Sequence, residues 1–147
     1  MREIKFRGMT RKKGEKVRMD GTPVDGNWVY GGVKQGEGDF SIIYENETYE
    51  KRVVYTDTVC QYIGLNDKNG KEIYEGDILE WQLRNGPSVL YECVWLEDEC
   101  AFAFNDLRNR RFYENPVDCN DDYTLEFNMG IIGNKFDNPE LLERGAK

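Results

Sequence analysis

The chain contains no histidine among its 147 residues. Without an imidazole, no side chain has an ordinary pKa that lets it trade protons near neutral pH. Acid–base work would then fall to carboxylates, thiols and hydroxyls. Cysteine is sparse too: Cys60, Cys93, Cys100 and Cys119, with no Cys-x-x-Cys pair. A structural zinc site would need all four to converge from scattered positions, against the clustered spacing such sites use. Reduced, largely buried thiols are the preferred reading. No apolar run approaches the roughly 20 residues that span a bilayer, so no membrane helix is expected. Met1-Arg-Glu-Ile-Lys-Phe-Arg7 has no apolar stretch behind it, which argues against a secretory signal and for the cytoplasm. Gly31-Gly32 and the Gly36, Gly38 pair match neither a P-loop nor a dinucleotide fingerprint, and no cofactor is expected.

What is present favours a packed β protein. Hydrophobic residues make up 39% and aromatic residues 13% of the chain, enough for a core that disordered chains lack. Nine Tyr, seven Phe and three Trp suit the pleated, half-buried surface of a strand. The net charge of -8 is uneven: residues 1–18 carry eight basic side chains (from Arg2 to Arg18) against Glu3 and Glu15, and the acids fall mostly beyond. An acidic body opposes approach to phosphates and favours solubility. The basic cluster reads first as a solvated loop or a partner of that body, and only second as a nucleic-acid contact.

Alternation of apolar and polar residues predicts strands at Glu3–Gly8, Trp28–Val33, Asp39–Tyr44, Arg52–Tyr55 and Thr56–Gly64. In the last of these, Val59 and Ile63 are the expected inward positions. Thr10–Gly26 is polar and glycine-rich, hence a loop or loose hairpin. Asn69-Gly70 signals a two-residue type I′ turn, and Ile78–Leu83 a strand carrying Trp81. Val89–Leu96 and Cys100–Phe104 flank Glu97-Asp98-Glu99 as a hairpin. A tight closure there would put Tyr91, Cys93, Trp95, Cys100, Phe102 and Phe104 on one face, with the two cysteines as diagonal neighbours too far apart for a relaxed disulfide. Asn105–Asn109 reads as a turn, and Arg110–Tyr113 as a short strand or the start of a loop through Asn115-Pro116. Tyr123–Phe127 and Met129–Ile132 read as the last strands, with Gly130 and Gly133 marking a bulge or close backbone approach. Asn138-Pro-Glu-Leu-Leu-Glu143 has the N-cap, first-turn proline and early acids of a short C-terminal helix.

Three segments carry a family resemblance. Gly64-Leu-Asn-Asp-Lys-Asn-Gly-Lys-Glu-Ile-Tyr-Glu-Gly-Asp-Ile-Leu79 resembles the central signature of the YopX family of phage and prophage proteins. Arg2-Glu-Ile-Lys-Phe-Arg7 is similar to the family's opening, and Gly133-Asn134 followed by Asn138-Pro139-Glu140-Leu141-Leu142 to its ending. After Arg7 the chain departs from the pattern, with Gly8-Met9-Thr10 in place of an aromatic and an acidic residue. The resemblance implies a small, largely β protein with no catalytic residue to carry over. The expected architecture is a mainly β fold of short antiparallel strands in a small barrel or sandwich-like core, with a short C-terminal helix. It spans 1–147 as one domain, divisible into β lobes at 1–60 and 61–147.

The signature residues Gly64, Asp67, Asn69, Gly70, Gly76 and Asp77 read as structural, because a hairpin and a strand entry call for them. Asp67, Glu72, Glu75 and Asp77 could meet a hard cation, but they do not fit the EF-hand ligand pattern. A solvated acidic turn is the simpler reading. The expected function is therefore a non-catalytic binding or protein-interaction module whose partner is a host or phage protein. The alternative is a small nucleic-acid-binding barrel using Trp28, Tyr30, Tyr44 and Tyr62 as stacking faces. It is disfavoured by the acidic body and by the absence of basic residues interleaved with those aromatics. Exposed strand edges leave self-association open.

Overall fold

The computed structural model describes residues 3–10, 27–82, 85–113 and 129–146. Most of the basic cluster, the Thr10–Gly26 loop beyond Thr10, the Tyr123–Phe127 strand, Asn115-Pro116 and Cys119 lie outside the described residues. The chain divides into two compact units, Met1–Tyr62 and Ile63–Lys147. Both are built from antiparallel strands, and neither sheet closes into a barrel among the described residues.

In the first unit the strands are β1 (Phe6–Met9), β2 (Trp28–Lys34), β3 (Phe40–Glu45) and β4 (Lys51–Tyr55). They run in the order β4-β3-β2-β1, with the start of β5 (Cys60–Asn66) beside β1. β1 begins later than the alternation of Glu3–Gly8 predicts and continues through Gly8 and Met9, the residues that depart from the family pattern. The sheet curls enough for Thr10 to bridge Val54. That curl depends on Gly8, whose added Cβ would meet the Val54 side chain at 2.8 Å. Ile43 and Val54 are sealed on the inner face, beside Ser41. Ser41 accepts from the Gly36 N–H at 3.1 Å and shares a hydrogen bond with Thr56 at 2.9 Å. Thr56–Thr58 is a 3-10 turn rather than strand, locked by the Thr58 hydroxyl, which donates to the Tyr55 carbonyl and accepts from the Met9 N–H. Of the inward residues predicted there, Ile63 is buried and Val59 only half-buried.

The second unit holds the end of β5, then β6 (Glu72–Tyr74), β7 (Asp77–Trp81), β8 (Val89–Leu96), β9 (Ala101–Asp106), β10 (Phe112–Tyr113), β11 (Met129–Asn134) and α1 (Glu140–Gly145). β10-β9-β8-β7-β11 form one sheet. Alternation sends neighbours to opposite faces, and both faces are covered. Leu79, Val89, Tyr91, Cys93, Phe104 and Met129 pack into one cluster. Ile78, Leu90 and Leu107 pack against Leu141 of α1 in another.

The β8–β9 hairpin places Cys93 opposite Phe104 and Trp95 opposite Phe102, on one face with Tyr91 as predicted. Cys100 does not join them. The ladder closes at Leu96–Ala101, so the turn is Glu97–Cys100, and Cys100 sits in it with φ 50 and exposed. The helix also differs in one respect. Pro139 stands at its N-cap without a side-chain bond, while Asn138 Oδ1 accepts from the Asn134 N–H at 3.3 Å. Asn138 thus closes the preceding turn instead of capping the helix.

Candidate functional site

Two turns of the Gly64–Leu79 segment are built on buried aspartates. Asp67 is only 3% exposed. Its Oδ1 accepts from the Asn69 and Lys71 N–H groups, both at 2.9 Å, and its Oδ2 from the Ile131 N–H at 3.0 Å. The Gly70 N–H donates to the Asp67 carbonyl at 3.0 Å, and Gly70 has φ 79. Asn69 is not among the residues at positive φ. The hairpin is therefore a type I turn followed by a left-handed glycine, not the type I′ pair expected from Asn69-Gly70. The Asp67 carboxylate takes up the N–H groups that such a turn leaves over. Burial alone would raise the Asp67 carboxyl, but the bonds from Ile131, Lys71 and Asn69, with the nearby Lys71 charge, hold it below its ordinary value.

Asp77 accepts from the Tyr74 N–H at 2.8 Å across a turn in which Gly76 has φ 85. The Gly76 N–H donates to the Cys93 carbonyl at 2.8 Å, and the Gly76 carbonyl accepts from the Lys135 N–H at 2.9 Å. Both turns thus grip β11. The first holds it at Met129 and Ile131, the second just past its end at Lys135, with Asp77 paired to Asn134 in the ladder. The central and C-terminal family segments, more than fifty residues apart in sequence, are one hydrogen-bonded structure. Gly64, at φ 90, lies within β5 before the first turn.

A third buried aspartate, Asp106, ends β9 at the start of a separate turn and was not legible in the sequence. It accepts from the Arg108 backbone at 3.0 Å and from the guanidinium at 2.9 Å. Burial would raise it as well, but the Arg108 bonds and charge outweigh burial and lower it. Among the described residues, no group of three or more His, Cys, Asp or Glu side chains converges as a metal site would. The aspartates singled out by sequence are therefore occupied in turns. The Asp67 and Asp77 carboxylates are buried, whereas Glu72 is half-buried, with an oxygen accepting from the Tyr74 hydroxyl at 2.8 Å.

The other surface of interest lies in the first unit. Register sets Gly32 opposite Tyr44 and Tyr44 opposite Lys51; the next row is Lys34, Ile42 and Val53; then Phe40 pairs with Tyr55. These residues share the outer face with Tyr30. Tyr30 is 42%, Phe40 39% and Val53 55% exposed. Arg7 pairs with Tyr30 in the ladder, and its guanidinium stands 4.4 Å from the centre of the Trp28 ring. Lys51 Nζ lies 6.0 Å from that of Tyr44, and Lys5 Nζ 5.3 Å from that of Tyr62. The expected lack of basic residues among these aromatics is thus wrong in three dimensions. Cross-strand pairing places each cation beside a ring from which it is distant in sequence. Tyr62 itself is buried and offers no free face. Two recesses open on this unit. One of ≈ 320 Å³ is bounded by Trp28, Tyr30 and the Glu45–Thr48 turn. The other, of ≈ 250 Å³, is bounded by Lys34, Phe40, Ile42 and Val53.

The fold and its aspartate-locked turns define a small two-sheet antiparallel β protein in which one signature organises the second unit. The YopX protein family model matches residues 5–143, and the chain belongs to that family. The chain is similar to the crystal structure of protein EF1440 from Enterococcus faecalis. The two are 21% identical with a TM-score of 0.51, covering 97% of this chain and 99% of that one. At that identity the likeness speaks for the fold alone. No curated protein sequence matches the chain.

Proposed function

We propose that this chain is a non-catalytic accessory protein of phage or prophage origin, acting by binding a partner in the host cytoplasm. The family's phage association supports the origin. The observation that carries the binding role is the outer face of β2–β4, where Phe40 and Val53 stand exposed toward one end and Tyr30 toward the other, with half-buried Ile42 and Tyr44 between them. Large exposed apolar side chains grouped on one surface are a feature of interaction sites. Asp67 and Asp77, two of the four carboxylates the sequence brings together, are committed to backbone N–H groups, which supports binding over catalysis. The test is affinity capture from host lysate with the full chain and with a Tyr30→Ala, Phe40→Ala variant of unchanged thermal midpoint. A component retained by the parent and lost by the variant is expected. Equal recovery by both would place the working surface elsewhere.

A further inference from the structure

The geometry points to single-stranded nucleic acid as the partner of the outer β2–β4 face, an inference that rests on the binding role proposed above. Proteins that hold single strands combine aromatic rings, on which bases stack, with cations that follow the backbone. Both are present here: Lys51 shares a row with Tyr44, and Lys34 stands in the next row, between those of Tyr44 and Phe40. Tyr30, Tyr44 and Phe40 present rings at the level of the sheet, and Lys34 and Lys51 flank them, exposed, on β2 and β4.

Charge makes the face unusual for this molecule. Acids outnumber bases 28 to 20 in the chain, yet no outward position on β2, β3 or β4 is acidic. The acid of these strands, Glu45, belongs to the opposite set of positions, where Arg52 Nε meets its carboxylate at 3.3 Å and the Thr48 hydroxyl donates to it at 3.1 Å. A phosphate over Lys34 and Lys51 therefore meets cations on the face, and the nearest strand carboxylate is already paired.

Shape agrees with charge. Gly32 lies between Tyr30 and Lys34 on the outer face, and a Cβ there would meet nothing within 4 Å. The gap leaves room for a flat ring against Tyr44. The recess bounded by Lys34 and Phe40, which has no acid in its lining, adjoins the gap on one side, whereas the recess at Tyr30 is bounded by Glu45 and Glu47 and offers a phosphate no cation. Two exposed lysines are few for a duplex, whose binding rests on neutralising many phosphates. Stacking on a sheet surface suits unpaired bases, which every sequence provides.

The test uses the full chain and fluorescence anisotropy of a labelled oligothymidine and a labelled oligouridine at low ionic strength. A duplex of matching length serves as the comparison. Saturable binding of a single strand, stronger than of the duplex, is expected. Tyr30→Ala with Phe40→Ala should weaken it by about tenfold or more, within the range for loss of a stacking ring. Gly32→Val, which fills the gap and suits a strand, should weaken binding without lowering the thermal midpoint. Lys34→Gln and Lys51→Gln should each flatten the dependence of log K on log salt by about 0.7. Absence of binding at low salt, tighter binding to the duplex, or affinity indifferent to Gly32→Val and the ring substitutions would each overturn the assignment. If oligonucleotides fail while a host component is still lost with the Tyr30, Phe40 variant, the face binds another class of partner and the binding role itself stands.

Discussion

Asp67 gathers three backbone N–H groups onto one carboxylate, and two of them belong to its own turn while the third, from Ile131, is 64 residues away. Such a group does local and long-range work at once. Replacing it with Asn keeps an acceptor for the turn but sets an amide N–H against either Ile131 or the turn donors, leaving a buried donor unmet. Asp67→Asn should therefore cost about 2–3 kcal/mol, read as a lower denaturant midpoint at constant slope. A change below about 0.5 kcal/mol would show that the clamp does not hold β11. The pH dependence follows from the same contacts. A carboxyl held below its ordinary value of 3.8 binds its proton less readily when folded. Its stabilisation is complete above that value and is lost as pH falls through the folded one. Asp106 acts in the same direction. Glu92, raised by burial against the opposing pull of Lys135 and Arg110, acts in the other: its contribution declines as pH rises from 4.5 through its folded value. Unfolding followed from pH 6 down to pH 2 should show an acid loss for the parent that Asp67→Asn partly flattens. Parallel curves would contradict this assignment.

Elements were legible from sequence where alternation is strong and connections are short. β2, β3, β4 and the β8–β9 hairpin follow their patterns within a residue or two of the ends. The errors arose at turns, where one residue of register decides everything. A three-residue turn at Glu97–Glu99 puts Cys100 in the core; a fourth residue, accommodated by positive φ at Cys100 itself, carries the thiol out. Asn69 was expected at positive φ, but the Asp67 carboxylate selects a different turn. The helix was foreseen and its docking was not, since α1 is only six residues long and could not persist alone. Leu141 supplies the reason it stays, seated with Ile78, Leu90 and Leu107. Leu141→Ala should cost about 2–4 kcal/mol and should be visible as faster amide exchange in α1 and along β8. Unchanged exchange there would mean that the helix is held by other contacts, among them the 3.6 Å approach of Arg144 to Glu80.

At the scale of the whole molecule, the two units carry different parts of the sequence's meaning. The second holds the central and C-terminal family segments and uses them to fix β11. The first exposes the aromatic and basic face, none of whose residues lies in those two segments. That face was the least legible feature, because Lys34 and Lys51 come next to Phe40 and Tyr44 only through strand pairing. The family model spans both units, but its central and C-terminal segments lie in the second and the proposed binding face in the first. Hydrogen exchange of the full chain, with and without saturating oligothymidine, measures this division directly. Slower exchange confined to β2, β3 and β4, with Asp67–Asp77 unchanged, is the predicted result. Protection concentrated in Gly64–Leu79, or none in β2–β4, would contradict it.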